Sequence, residues 1–205
     1  MPDDLDFAAA IAFVATSMTI AVGWPQLRRL RRTGDVAGVS VSMTTLSLAS
    51  ESGWLIYLSG SRLWSAVPEA VLTLGVGVAL FVALRRAGSE WRRPAAAAMV
   101  WGAMLSAALA VGGLAAVGAL LSVAYALQLA PAVWTSWRAT CPSGVAPGAW
   151  MFRLAQSALW GIYGRIEHDR PLATLGVIGA VASVSVLVRL AVTRPLGIRP
   201  ESAVA

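Results

Sequence analysis

The chain has 205 residues, 58% of them apolar and only 13% charged, with a mean hydropathy of +0.70. A soluble chain this short has too much surface to hide so much apolar side chain, so the composition excludes an ordinary soluble domain and points to a polytopic membrane protein. The net charge is +6 and all sixteen basic residues are arginine. Lysine and asparagine, both encoded by A-rich codons, are absent, which points to a GC-rich bacterial genome. A single Cys141 excludes a disulfide framework or multi-cysteine metal site, and a lone His168 excludes a two-histidine zinc motif. The arginines lie between apolar spans rather than along one amphipathic face, which sets nucleic-acid binding aside.

In chain order, seven stretches approach the roughly 20 mostly apolar residues that cross a bilayer as a helix. They are 7–27, 39–58, 64–84, 94–111, 114–134, 145–164 and 171–192. The leader from Met1 to Asp6 holds three aspartates and no base, the reverse of a signal-peptide start, so the first stretch reads as a retained span. Residues 94–134 are too many for one span, and Gly112-Gly113 is the only turn chemistry inside them, so the division is placed there. Arginine placement tests the count. Arg28, Arg29, Arg31, Arg32, Arg85, Arg86, Arg92, Arg93, Arg138, Arg189, Arg194 and Arg199 fall on one side. Arg62, Arg165 and Arg170 fall on the other, beside Asp3, Asp4, Asp6, Glu167 and Asp169. The positive-inside rule then puts the N-terminus outside and the C-terminus in the cytoplasm. The predicted fold class is an all-α membrane protein with seven transmembrane helices, in the plasma (inner) membrane of a bacterium.

Shifting the chain on itself by 106 residues aligns 25–57 with 131–163 at nine identities, where composition alone gives roughly two or three. Pro25 falls on Pro131, Arg32 on Arg138, Gly38 on Gly144, Val39 on Val145, Leu48 on Leu154 and Ala49 on Ala155. Trp54-x-Ile56-Tyr57 falls on Trp160-x-Ile162-Tyr163. Spans 1–3 therefore repeat as spans 5–7. The predicted organisation is a first three-helix repeat over 1–90, a linker helix over 91–113 and a second repeat over 114–205. One intervening span makes the repeats parallel, and transporters built this way hold their solute between the halves near the midplane.

Gly23-Trp24-Pro25-Gln26 at the end of span 1, followed by a basic loop and Gly38-Val39-Ser40, resembles the PQ-loop motif. With the 3+1+3 layout and the paired tryptophans, the chain from about residue 7 to 192 resembles the PQ-loop/SWEET transporter superfamily, whose wider group includes amino-acid exporters of lysosomes. The second copy departs from the motif, with Ala132 after Pro131. The resemblance implies alternating access, prolines that hinge the cytoplasmic side, and tryptophans lining the solute cavity, carried here to Trp54 and Trp160. It also implies an asparagine on the third helix of each repeat. This chain has none; Glu69 stands in the first such place and Thr174 or Leu175 in the second.

Pro25, Pro131 and Pro147 are expected to kink their helices as hinges, the alternative being static bends. Gln26 is expected to bond backbone freed by the kink or to close the inner gate. Trp54 and Trp160 lie deeper than interfacial anchors and face the axis, with core packing as the rival reading. Glu51 sits one turn before Trp54, and Arg153 one turn before Ser157, the counterpart of Glu51. Charges inside a span face the bundle interior, so Arg153 is expected to form a buried ion pair with Glu51 or Glu69, serving either a site or a lock between halves. Gln156 and Gln128 either line the cavity or bond a neighbouring helix. Tyr57 and Tyr163 read as interfacial residues, and His168 as solvated.

The expected function is a membrane transporter moving a small polar solute, a sugar by the resemblance, by alternating access. The site residues are Trp54, Trp160, Glu69, Glu51, Ser157, Gln156 and Thr174. The alternatives are a proton-coupled carrier of an amino acid or other small solute using Glu51 and Glu69, or a non-transporting receptor. A receptor would pack its charges with no open cavity. No cofactor or catalytic constellation is expected. The partners are the solute and the bilayer, with homo-oligomerisation left open.

Overall fold

In a computed structural model the chain is all-helical, with six helices and no strand among the described residues, which are 2–33, 41–139 and 145–193. Side chains 2–6, 22–27, 29–31 and 33 of the first helix lie outside that description, as do Gly38-Val39-Ser40, Cys141, Arg194 and Arg199. The helices are α1 (Pro2–Thr33), α2 (Val41–Gly60), α3 (Val67–Arg86), α4 (Arg92–Arg138), α5 (Pro147–Ile166) and α6 (Arg170–Thr193). Among them α3, α4 and α6 are long and apolar enough to cross a membrane, and Phe7–Ala21 of α1 is a shorter apolar run. Phe13, Met99, Val111, Val181 and Val192 stand exposed on the outside of the bundle. A helix bonds its own backbone internally, which suits such apolar faces to lipid.

The 47-residue α4 is broken at Gly113, whose φ of 63° and ψ of −157° are open to glycine alone. Its neighbours on α2 trace what happens there. Thr45 Oγ1 donates to the Pro94 carbonyl at 3.3 Å and Trp101 Nε1 to Ser50 Oγ at 3.0 Å. Leu105 then lies against Gly53, and Leu114 against Gly60. Past the break the order reverses, with Gly118 against Tyr57 and Leu121 against Gly53 again. The two arms of α4 therefore run in opposite directions, and Arg92 and Arg138 share one end of the bundle. The expected division at Gly112-Gly113 coincides with this break.

Packing follows one scheme twice. Helix α3 packs on both α1 and α2, and α6 packs on both α4 and α5. Across the middle, α1 meets α5 and α2 meets α4. The hairpin turns repeat at backbone level. Arg62 N–H donates to Ser59 O and Leu63 N–H to Leu58 O; His168 N–H donates to Arg165 O and Asp169 N–H to Gly164 O. Each pair is 106 residues from its counterpart. Both turns close the preceding helix with a left-handed residue, Arg62 (φ 61°) and His168 (φ 54°), so that two orphan carbonyls are satisfied. These turns share one end, called here the turn end. Arg85, Arg86, Arg92, Arg93 and Arg138 mark the opposite, arginine end.

Of the three prolines expected to kink their helices, Pro147 does not lie inside one. Pro147 starts α5 rather than bending it, a position where its missing N–H costs nothing. Helix α1 runs through Pro25 without interruption, although the side chains of Pro25 and Gln26 lie outside the described residues. The second arm of α4 passes Pro131, which is exposed, and Gly113 is the one residue of that helix with non-helical φ and ψ. Glycine, not proline, makes the sharp break.

Candidate functional site

The bundle encloses a central cavity of about 350 Å³ between the two sets of three helices. Thr19 of α1, Glu51, Trp54 and Leu58 of α2, and Glu69 and Thr73 of α3 line one side; Tyr125 of α4, Arg153, Gln156, Ser157 and Trp160 of α5, and Leu172 and Leu175 of α6 line the other. The size suits a small ligand.

Helix periodicity assembles α5's share. Arg153, Gln156 or Ser157, and Trp160 recur every three or four residues and so stand on one face; Glu51, Trp54 and Leu58 do the same on α2. The expected grouping of Trp54, Trp160, Glu51, Glu69, Ser157 and Gln156 is therefore present in one cavity. Thr174 is not there. It is exposed and lines a second, outer groove of about 600 Å³ with His168, Arg170 and Ile178, whereas its neighbour Leu175 faces the central cavity. One residue turns a helix by about 100°, and that step separates the two.

Glu69 is the polar hub. Its Oε1 accepts from Thr19 Oγ1 at 2.7 Å and from Gln156 Nε2 at 3.2 Å, and Gln156 Nε2 also reaches Thr19 Oγ1 at 2.5 Å. This triangle joins α1, α3 and α5, hence both sets of helices. Glu69 sits in the first turn of α3, just past Pro68, where the helix dipole favours an acid. Glu51 makes no hydrogen bond or ion pair among the described residues. Arg153 does not pair with either glutamate. It is exposed, its Nη1 reaches Tyr125 Oη only at 3.5 Å, and its guanidinium lies 5.6 Å from the Trp150 ring. The expected buried ion pair of Arg153 with Glu51 is thus not formed, because Arg153 is turned to aromatic partners nearer the arginine end. Gln128 is exposed and does not line the cavity.

Two tyrosines that read as interfacial in the sequence bridge the two sets of helices at the turn end. Trp54 and Tyr57 meet edge-on at 5.7 Å between ring centroids, and Trp160 and Tyr163 repeat the arrangement at 5.4 Å. Tyr57 Oη then donates to Asp169 Oδ2 at 2.5 Å, reaching the turn of the other hairpin. Tyr163 Oη and Ser65 Oγ lie 2.8 Å apart, the reciprocal crossing. Asp169 is held in place by accepting, through Oδ1, the Leu172 N–H at the start of α6. Gly118 makes room for the first crossing, since a Cβ there would come within 2.6 Å of both the Pro171 ring and the Tyr57 ring. The signal was present in the sequence: Tyr57 and Tyr163 recur at repeat-equivalent sites as the tryptophans do, and Asp169 stands at a helix start. The cavity residues Thr19, Thr73 and Tyr125 carried no comparable signal. Compared with known families and with curated proteins, the chain matches no family model and no curated sequence.

Proposed function

We propose that the protein is an integral membrane transporter that moves a small polar solute by alternating access, with the seven-span, N-outside architecture of the PQ-loop/SWEET superfamily. In this reading the two arms of α4 are separate spans, 91–113 is the linker, and the three-helix units 1–90 and 114–205 rock about the central cavity. The turn end faces outside and the arginine end the cytoplasm, in accord with the positive-inside rule.

The observation that carries the reading is the cavity between two repeat-related helix sets, bridged at one end by the paired crossings Tyr57–Asp169 and Tyr163–Ser65. Hydrogen bonds that span the two sets at the turn end are what an alternating-access carrier has to make and break. A chain of packed charges without a cavity would have favoured a receptor. Carboxylates and amides in the lining accept and donate to hydroxyls, so the sugar that the resemblance implies is accommodated in principle.

Counterflow in proteoliposomes, with a panel of labelled sugars and amino acids, tests this. Exchange is expected for at least one solute class. It is expected to stop when Tyr57→Cys and Asp169→Cys are oxidised to a disulfide and to return on reduction. A folded chain that exchanges nothing would sink the transport reading.

A further inference from the structure

We infer that the solute taken by the central cavity carries an ammonium group and that Glu51 is its ligand. This rests on the reading of the cavity as a transport site.

The two carboxylates of the cavity stand in different situations. Glu69 accepts hydrogen bonds from Thr19 and Gln156 and so is committed to holding α1, α3 and α5 together. Glu51 lines the same cavity, half-buried, and bonds to nothing among the described residues. Its repeat counterpart is Ser157, so the shared fold does not need an acid at that position. An acid kept inside a bundle with no partner is costly unless a proton or a cation compensates it. The groups facing it from the surrounding helices do not. Glu69 on α3 is a second carboxylate, Tyr125 on α4 is neutral, and α6 contributes only Leu172 and Leu175. Arg153 on α5, the one cation in the lining among the described residues, is turned to Tyr125 and Trp150.

The cavity therefore carries two carboxylates against one guanidinium that neither of them binds. A neutral hydroxylated solute would leave Glu51 without a counter-charge beside it; an ammonium group would supply one. Trp54 stands one turn beyond Glu51 on the same face of α2, and Trp160 lines the same cavity from α5; indole rings add cation–π attraction for an ammonium that has shed water. A solute that also bears a carboxylate finds Arg153 in the same lining. Amino acids and simple amines share the ammonium chemistry, and Arg153 tells them apart.

The test uses the full chain, in nanodiscs for binding and in proteoliposomes for exchange, with alanine, putrescine and glucose as probes. Glu51→Gln keeps the shape and an acceptor oxygen but removes the charge, and Glu51→Asp keeps the charge. Binding and exchange of an ammonium probe are expected to fall by about tenfold or more in Glu51→Gln and to survive largely in Glu51→Asp, with glucose failing to compete. Alanine exchange lost in Arg153→Gln with putrescine untouched identifies an amino acid; putrescine exchange by the wild type with none of alanine identifies an amine. Glucose exchange that persists in Glu51→Gln, or ammonium exchange indifferent to it, overturns the inference and leaves the transport reading standing. Ammonium binding lost in Glu51→Gln, with no exchange in the wild type, upholds the ligand and sinks transport. No binding of either ammonium probe by the folded wild-type chain overturns the inference.

Discussion

The hairpins α2–α3 and α5–α6 share one chain path, one turn geometry and one Trp–Tyr pair, yet they are packed differently. In α5–α6 the backbones nearly touch. A Cβ placed on Gly176 would lie 2.3 Å from Gly161 Cα, one on Gly164 2.3 Å from the Ala173 nitrogen, and one on Gly179 2.2 Å from Ser157 Oγ. Shifting back by 106 residues, Gly161, Gly164, Gly176 and Gly179 become Leu55, Leu58, Ala70 and Thr73. Side chains thus separate α2 from α3, and Leu58, Ala70 and Thr73 line the cavity. The lesson is that a duplicated fold keeps its path while dividing its tasks. The second hairpin is a stiff unit built on glycine, and the first spends its side chains on the site.

The largest expected effect tests the stiff unit. Gly176→Ala forces a methyl into the Gly161 backbone, which cannot yield as a side chain would, and should cost about 3 kcal/mol of stability. Gly75→Ala, on α3 where a Cβ meets nothing within 4 Å, should leave the melting temperature unchanged or slightly raised. Equal losses on thermal melting would erase the contrast between the hairpins.

The break between the two halves comes next. Gly113→Ala places a side chain at a φ of 63° and ψ of −157° and should cost about 1–3 kcal/mol. An unchanged melting curve would mean that α4 does not fold back as described.

The two crossings at the turn end should differ in turn. Tyr57→Phe removes a bond to a carboxylate, worth about 2 kcal/mol or roughly thirtyfold in the balance between closed and open at that end. Tyr163→Phe removes a bond to a hydroxyl, worth about 1 kcal/mol. Labelling of a cysteine introduced at Leu58 from the turn-end side should rise in both and more in the first; the opposite order would show that Asp169 does not dominate the closure. The smallest effect is a gain. Arg62→Gly and His168→Gly relieve left-handed backbone and should each stabilise by about 1 kcal/mol, equally if the two turns are equivalent. A loss from either would mean that its side chain does more than turn the chain.

Much of the site was legible because repetition carries geometry. Trp54 and Trp160, found by self-alignment, do line one cavity, and helix spacing alone put Glu51 beside Trp54 and Arg153 beside Ser157. The pairing of Arg153 with Glu51 was not legible, because a side chain chooses among partners on several helices and the sequence shows only its own. The choice of Leu175 over Thr174 at the cavity turned on the rotation of α6, which follows from how Gly176 and Gly179 seat it against α5. Pro147 was read as a bend in its helix, yet it begins one, where its missing N–H costs nothing.

What the sequence determined by itself is what depends on local chemistry and on counting. It settled the all-helical class, the apolar helices, the turn at Gly112-Gly113 and the two tryptophans at matching places. Those follow from composition, periodicity and the special backbone of glycine, none of which needs a partner. Tertiary structure alone decided which acid is satisfied and which is left facing the cavity. It also decided that tyrosines bridge the two halves at one end and that one hairpin is packed more closely than the other. These are relations between residues about 50 to more than 100 positions apart, such as Thr19 with Glu69 or Tyr57 with Asp169, and a hydrogen bond at such a separation exists only once the packed helices bring its two ends together.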